Sequence, residues 1–307
     1  MTSVAMRVGT ALLVSAVGAS VVSSSLAAQA PLAGVADALG RGGAEQPGGV
    51  VRFSFPRSDL TVVVDGVTLK PALALGSWVA FQPMGPREAV AMGDLVLLES
   101  EVAGVMRALQ GGGVEQTALH HHVLGESPHV LYMHVSAHGD PVKIAQTIRG
   151  ALGTTKTPLG TPATPAAPSA AELDTAGIAA ALGVSGKLNG VVYQVSVPRR
   201  ERITERGHEV PPSMGVATAI NFQPTGNGKA AITGDFVMRA EEVNAVIRAL
   251  QSHGISPTAL HSHMLEESPR LFFMHFWAND DAVTLAKGLR AGLDRTASKV
   301  AASRASQ

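Results

Sequence analysis

Three histidines and a glutamate occur twice in this chain at identical spacing. His120, His122, Glu126 and His134 are repeated as His261, His263, Glu267 and His275, at a constant offset of 141 residues from His120 to His261. In a strand, residues i and i+2 face the same way. His120 therefore shares a surface with His122, and His261 with His263. A hairpin turning on Ser127-Pro128-His129 would pair Glu126 with Val130 and set His122 opposite His134, with Cβ atoms about 5 Å apart. His263 would face His275 in the same way. Converging imidazoles are the usual ligands of Zn, Cu, Ni and Fe, so the expected cofactor is a divalent transition metal (Zn, Cu, Fe, Mn or Ni). Glu126 stands four residues from His122, about 13 Å along a straight strand. It joins a metal only if the chain turns after Val123. Otherwise Glu126 and Glu267 are supporting groups, bases acting on a bound water, or surface charges.

Other polar residues read more blandly. Asp94 and Asp235 each follow a glycine and are expected to cap turns. Met133 and Met274 alternate to the face opposite the histidines and belong to the core. Tyr132, Phe273 and Trp277 share the histidine face, which suits either a partly apolar pocket or burial between the two copies. His121, His129, His138, His208 and His253 have no counterpart and are expected at the surface. Gly111-Gly112-Gly113 lacks the Lys and Ser/Thr of a phosphate loop, and no nucleophile elbow or dinucleotide fingerprint occurs.

The same offset holds for Met133-His134 with Met274-His275, Gly93-Asp94 with Gly234-Asp235, and Phe81-Gln82-Pro83 with Phe222-Gln223-Pro224. Upstream it loosens by one, with Phe55-Pro56-Arg57 against Val197-Pro198-Arg199. A constant offset over separated matches indicates duplication. Within the first copy, strands are expected at 50–55, 60–64 (with the turn signal Asp65-Gly66), 78–82 and 90–98. A helix should follow over 99–110 and end at the three glycines. A hairpin over 115–126 and 130–137 leads to a helix opened by Asp140 and Pro141. The second copy repeats this, with helices at 240–251 and 280–293 around a hairpin at 257–278. The fold class is therefore α+β, as two tandem diverged repeats. Each would be a ferredoxin-like β-α-β-β-α core with extra N-terminal strands. The expected divisions are a signal peptide at 1–30, repeats at 31–153 and 176–295, a Pro/Thr/Ala-rich linker at 154–175 and a disordered tail at 296–307.

Arg7, the apolar run from Val8 to Val22 and the small-x-small site Ala28-Gln29-Ala30 have the form of a secretory signal peptide. The run falls short of the roughly 20 apolar residues that span a bilayer. The expected location is exported, periplasmic or extracellular, with no stable membrane span after cleavage. Of 24 basic and 24 acidic side chains, only Arg7 precedes residue 31, leaving a net charge of −1. Nothing in that balance attracts nucleic acid. The chain has no cysteine, which excludes disulfides, thiolate nucleophiles and Cys metal sites.

The segments Leu-His-His-His-Val-Leu-Gly-Glu-Ser-Pro and Leu-His-Ser-His-Met-Leu-Glu-Glu-Ser-Pro, with Gly-Ser-Trp-Val-Ala-Phe-Gln-Pro at 76–83, resemble a bacterial family of unknown function that includes the LppY and LpqO lipoproteins. The resemblance covers nearly all of the chain after residue 30. It implies export and the two-copy layout, and no activity. The lipid-attached cysteine is missing here. His120-x-His122-x3-Glu126 also resembles the first metal motif of cupins. Gly113 stands one residue too early and Met133 replaces a glycine, so the similarity is one of ligand spacing.

The sequence thus points to an exported metal-binding protein, with a histidine site in each copy or one site where the copies meet. A metal-dependent hydrolase or cupin-like oxidoreductase, with Glu126 or Glu267 as base, is the second reading. The third is a non-catalytic module binding a small molecule or a cell-envelope partner.

Overall fold

The computed structural model describes residue 1, residues 32–160 and residues 173–300. The expected signal peptide, the body of the linker and residues 301–307 lie outside the described residues.

Each copy opens with a short helix, α1 (Val35–Leu39) and α4 (Thr175–Leu182). The first copy continues with β1 (Ala44–Gln46), β2 (Val50–Pro56), the small pair β3 (Val63–Val64) and β4 (Val67–Thr68), β5 (Gly76–Gly85), β6 (Glu88–Leu98), α2 (Glu99–Gly111), β7 (Glu115–His120), β8 (Val130–Gly139) and α3 (Pro141–Leu152). The second has β9 (Lys187–Asn189), β10 (Val192–Pro198), β11 (Thr204–Glu205), β12 (His208–Glu209), β13 (Ala217–Gly226), β14 (Lys229–Met238), α5 (Ala240–Gln251), β15 (Ser256–His261), β16 (Glu267–Ser268), β17 (Phe272–Asp281) and α6 (Ala282–Leu293). The chain is α+β in two similar halves. Each half has an antiparallel six-stranded sheet, ordered β1-β2-β5-β6-β8-β7 in the first and β15-β17-β14-β13-β10-β9 in the second. The N-terminal strands do extend the sheet. The expected strand over 60–64 is only the two-residue β3, paired with β4 across Asp65-Gly66, where both residues have positive φ.

Alternation along the strands gives each sheet two buried faces. One packs on its own helices, through Phe55, Phe81, Leu95, Met133 and Ile148 in the first half and Phe222, Phe236, Met274, Phe276 and Leu289 in the second. The other face meets the opposite half, so the layers run helix, sheet, sheet, helix. Segments 57–75 and 199–216 reach across as reciprocal arms. In the first arm, Val62, Leu69 and Leu75 cluster with Ala231 and Trp277 of the second half. The Lys70 N–H donates to Gln223 Oε1 at 2.8 Å, and Trp277 Nε1–H donates to Asp65 at 2.8 Å. In the second arm, Ile203, Val210 and Met214 cluster with Val50, Ala80 and Met92.

The end of each copy is held by a buried arginine. The Arg57 side chain is fully buried and donates to Asp59, Glu101 and the Val96 carbonyl. Glu101 also accepts from the Leu98 and Lys156 N–H groups. Arg199 repeats this with Glu201, Glu242 and the Val237 carbonyl, and Glu242 accepts from the Arg239 and Ala297 N–H groups. Burial alone would raise the Glu101 carboxyl, but its hydrogen bonds hold it below the ordinary range. At the start of the expected linker, Thr157 is buried and Leu159 packs on the core. At the start of the expected tail, Ser298 bridges Arg199 and is buried. Backbone N–H groups of both segments satisfy buried carboxylates.

Among the described residues, no helix is long and apolar enough to cross a membrane.

Candidate metal centre between the repeats

The two inner sheet faces meet at the histidines. The hairpin register is not the expected one. β7 stops at His120, which pairs with Tyr132, and His134 pairs with Ala118. In the second half His261 pairs with Phe273 and His275 with Ala259. The connection is a nine-residue loop, 121–129, in place of a three-residue turn. It leaves the strand because Ser127 pairs with Val63 of its own arm. His122 therefore does not face His134 across a ladder. His122 and His263 sit just beyond their strand ends.

The long loop directs the second histidine of each His-x-His toward the other copy. The His122 ring lies 3.8 Å from that of His275, and the His263 ring 3.8 Å from that of His134. His120 and His261 stack on each other at 3.7 Å. His120 Nε2 is 3.2 Å from His275 Nε2. A bulge at Thr117 and another at Thr258 take these residues out of the ladder. Each hydroxyl then donates across the seam, Thr117 to the His263 carbonyl at 2.6 Å and Thr258 to the His122 carbonyl at 2.5 Å. Tyr132 and Phe273 support the loops from behind, with ring distances of 3.3 Å to His122 and 3.5 Å to His263. The histidine face is thus buried between the halves, one of the two outcomes its aromatics suggested. His121 also lies at this seam, with Nε2 2.9 Å from the Thr258 carbonyl. The surface expectation fails for it.

Two residues read as turn caps belong to this centre. Asp94 sits mid-strand in β6, paired with Trp78 and His134, and Asp235 in β14, paired with Ala219 and His275. Both are buried. Asp94 lies 3.5 Å from His122 Nε2, and Asp235 2.9 Å from His263 Nε2. Neither contact has hydrogen-bond alignment, and Oδ1 of each aspartate is buried without a partner among the described residues. A charged residue recurring inside an apolar strand was the signal that could have found them.

Glu126 and Glu267 are also buried, but at the loop bases. Glu126 accepts from the Val130 N–H at 3.3 Å, and Glu267 from the Leu271 N–H at 3.0 Å and from Arg270 at 3.1 Å. They fix the loops that carry the histidines and stand outside the groups whose ligand atoms converge.

Those groups are His120, His261 and His275, and His134, His261 and His263. In each, the ligand atoms lie within 4.8 Å of one another. Each draws on both halves. Burial, reinforced by neighbouring imidazoles, drives His120, His134, His263 and His275 far below the ordinary histidine range. Burial does the same to His122, against the pull of Asp235. These rings are neutral, the form that ligates metal. Burial pushes Asp94 up, against His134 and His261. His275 Nδ1 donates to the Gly234 carbonyl at 2.7 Å and His263 Nδ1 to the Gly215 carbonyl at 3.1 Å. Both Nε2 lone pairs therefore face the cluster. Among the described residues, His120 Nδ1 and the Nε2 atoms of His122, His134, His261 and His263 have no hydrogen-bond partner.

No curated protein matches this chain. Among solved structures, a trimeric bacterial microcompartment shell protein, PduB, is 13% identical over 82% of this chain and 89% of its own, with a TM-score of 0.20. EtuB from Clostridium kluyveri is 11% identical over 82% and 90%, with a TM-score of 0.19. Likeness at that level carries no structural or functional statement. The family model described as Domain of Unknown Function (DUF1259) matches twice, over 33–154 and 176–295, and the chain belongs to that uncharacterised two-repeat family.

Proposed function

We propose that this protein binds a transition-metal cation where its two repeats meet. The supporting observation is a buried cluster of imidazoles whose unpartnered lone pairs converge from both halves. Leaving a buried polar atom unsatisfied costs on the order of 1–3 kcal/mol. A cation accepting several lone pairs removes that cost at several atoms together. Imidazole with carboxylate suits Zn, Cu, Fe or Ni, and Mn through the aspartates. Glu126 and Glu267 act in this reading by holding the ligand loops, not as bases.

Around this centre, we read each half as a ferredoxin-like core widened by upstream strands. The protein is read as exported, with 1–30 as a signal peptide, and as a soluble relative of the LppY and LpqO lipoproteins. A small molecule or an envelope partner would then meet it outside the cytoplasm.

Elemental mass spectrometry on the chain from residue 31, purified without a histidine tag, tests the metal reading. Stoichiometric metal that survives gel filtration supports it. A protein that carries no metal, and takes up none of Zn, Cu, Fe, Mn or Ni after dialysis, overturns it.

A further inference from the structure

Resting on that reading, we infer that the centre holds two cations, each bound by the His-x-His pair of one repeat and the strand histidine of the other. The first set is His134 with His261 and His263. Its repeat-equivalent is His275 with His120 and His122. The two sets have similar ring spacing, and in the first the ligand atoms also lie within 4.8 Å of one another. Ring distances in the first are 3.8 Å (His134–His263), 5.0 Å (His261–His263) and 5.8 Å (His134–His261). In the second they are 3.8 Å (His275–His122), 5.2 Å (His120–His122) and 5.2 Å (His275–His120).

A carboxylate touches one histidine of each set, and each aspartate is also the cross-strand neighbour of the other set's strand histidine, Asp94 of His134 and Asp235 of His275. Asp235 lies against His263, and Asp94 against His122. Both aspartates keep a buried Oδ1 without a partner among the described residues. Three imidazoles and one carboxylate form a complete donor set for a four-coordinate cation. The six histidines thus divide between the two sets with none shared.

A single ion would be placed differently. The set His120, His261 and His275 also brings its ligand atoms within 4.8 Å, and it uses neither His122 nor His263. The two arrangements therefore predict different effects of those residues. Two ions make His122 essential to one position and His263 to the other, whereas one ion in either converging group leaves at least His122 dispensable.

The test is a titration of the metal-free chain from residue 31 with Co2+, followed by its visible absorption, and a count of bound Co2+ by elemental mass spectrometry. Wild-type protein should saturate at two equivalents. His122→Ala and His263→Ala should each bind one, and the double variant none, with circular dichroism confirming that each is folded. Saturation of the wild type at one equivalent overturns the two-cation inference and leaves metal binding intact. No uptake at all overturns both. If a variant does not fold, the wild-type break point alone decides.

Discussion

His275 donates its Nδ1 proton to the carbonyl of Gly234, the residue before the buried Asp235. One peptide thus presents both the orienting acceptor and a carboxylate to the same centre. Gly234 occupies this place because the strands are too close for a side chain. A Cβ there would lie 2.0 Å from the Ala219 carbonyl oxygen. Gly234→Ala should therefore destabilise the fold by about 2–4 kcal/mol through backbone displacement and lower metal affinity together with stability. Urea unfolding alongside a metal titration checks this. Wild-type values for both would mean that the strands yield without consequence.

Arg57 and Arg199 make an independent structural prediction. Replacing either with alanine leaves Glu101 or Glu242 buried among backbone donors without its cation. The expected loss is about 3–5 kcal/mol, read as a lower urea midpoint. Metal content per folded molecule should not change, because neither clamp touches the histidines. Loss of metal from a folded Arg57→Ala protein would contradict this separation.

The pH dependence follows from the buried rings. His120, His122, His134, His263 and His275 resist protonation in the fold, whereas an unfolded chain protonates them near pH 6.5. Below that pH the unfolded state binds more protons, so stability falls as pH falls. Each ring contributes up to about 1.4 kcal/mol per pH unit. The metal-free protein should begin to unfold near pH 6, well above the carboxylate range. Bound metal should move the transition to lower pH, because it competes with protons for the same lone pairs. Circular dichroism from pH 8 to pH 3, with and without a chelator, measures both. A single transition near pH 4 that ignores the chelator would show that the histidines do not govern acid stability.

Much of this architecture was legible because duplication wrote it twice. Helix α3 was placed by Asp140, whose side chain accepts from the Val142 and Lys143 N–H groups, and by Pro141 at its first turn. The recurring histidines were visible through their spacing. Their geometry was not, since the register depends on Ser127 pairing with Val63, a contact between segments distant in sequence. Asp94 and Asp235 looked like turn residues because a preceding glycine usually marks a turn. Here Gly93 and Gly234 are strand residues required by close backbone approach. The mixing of histidines from the two copies could not be read at all, because one chain's repeat pattern does not say which faces meet.

Producing the copies as two separate chains, 32–160 and 173–300, should give partners that associate on mixing. Neither alone should retain metal at the full-length affinity, because each ligand set needs a strand histidine from the other. Gel filtration and metal analysis of the mixture test this. Tight metal binding by one chain alone would contradict the shared sets.

The reciprocal arms have a consequence for how such a molecule arises. A gene encoding one copy would yield a homodimer with an isologous interface, its arms swapped and its centre on the dyad. Occupancy would then depend on protein concentration. Fusing the two genes makes pairing intramolecular, at an effective concentration set by the tether. It also frees the paired positions to diverge, as His121 and Ser262 already have.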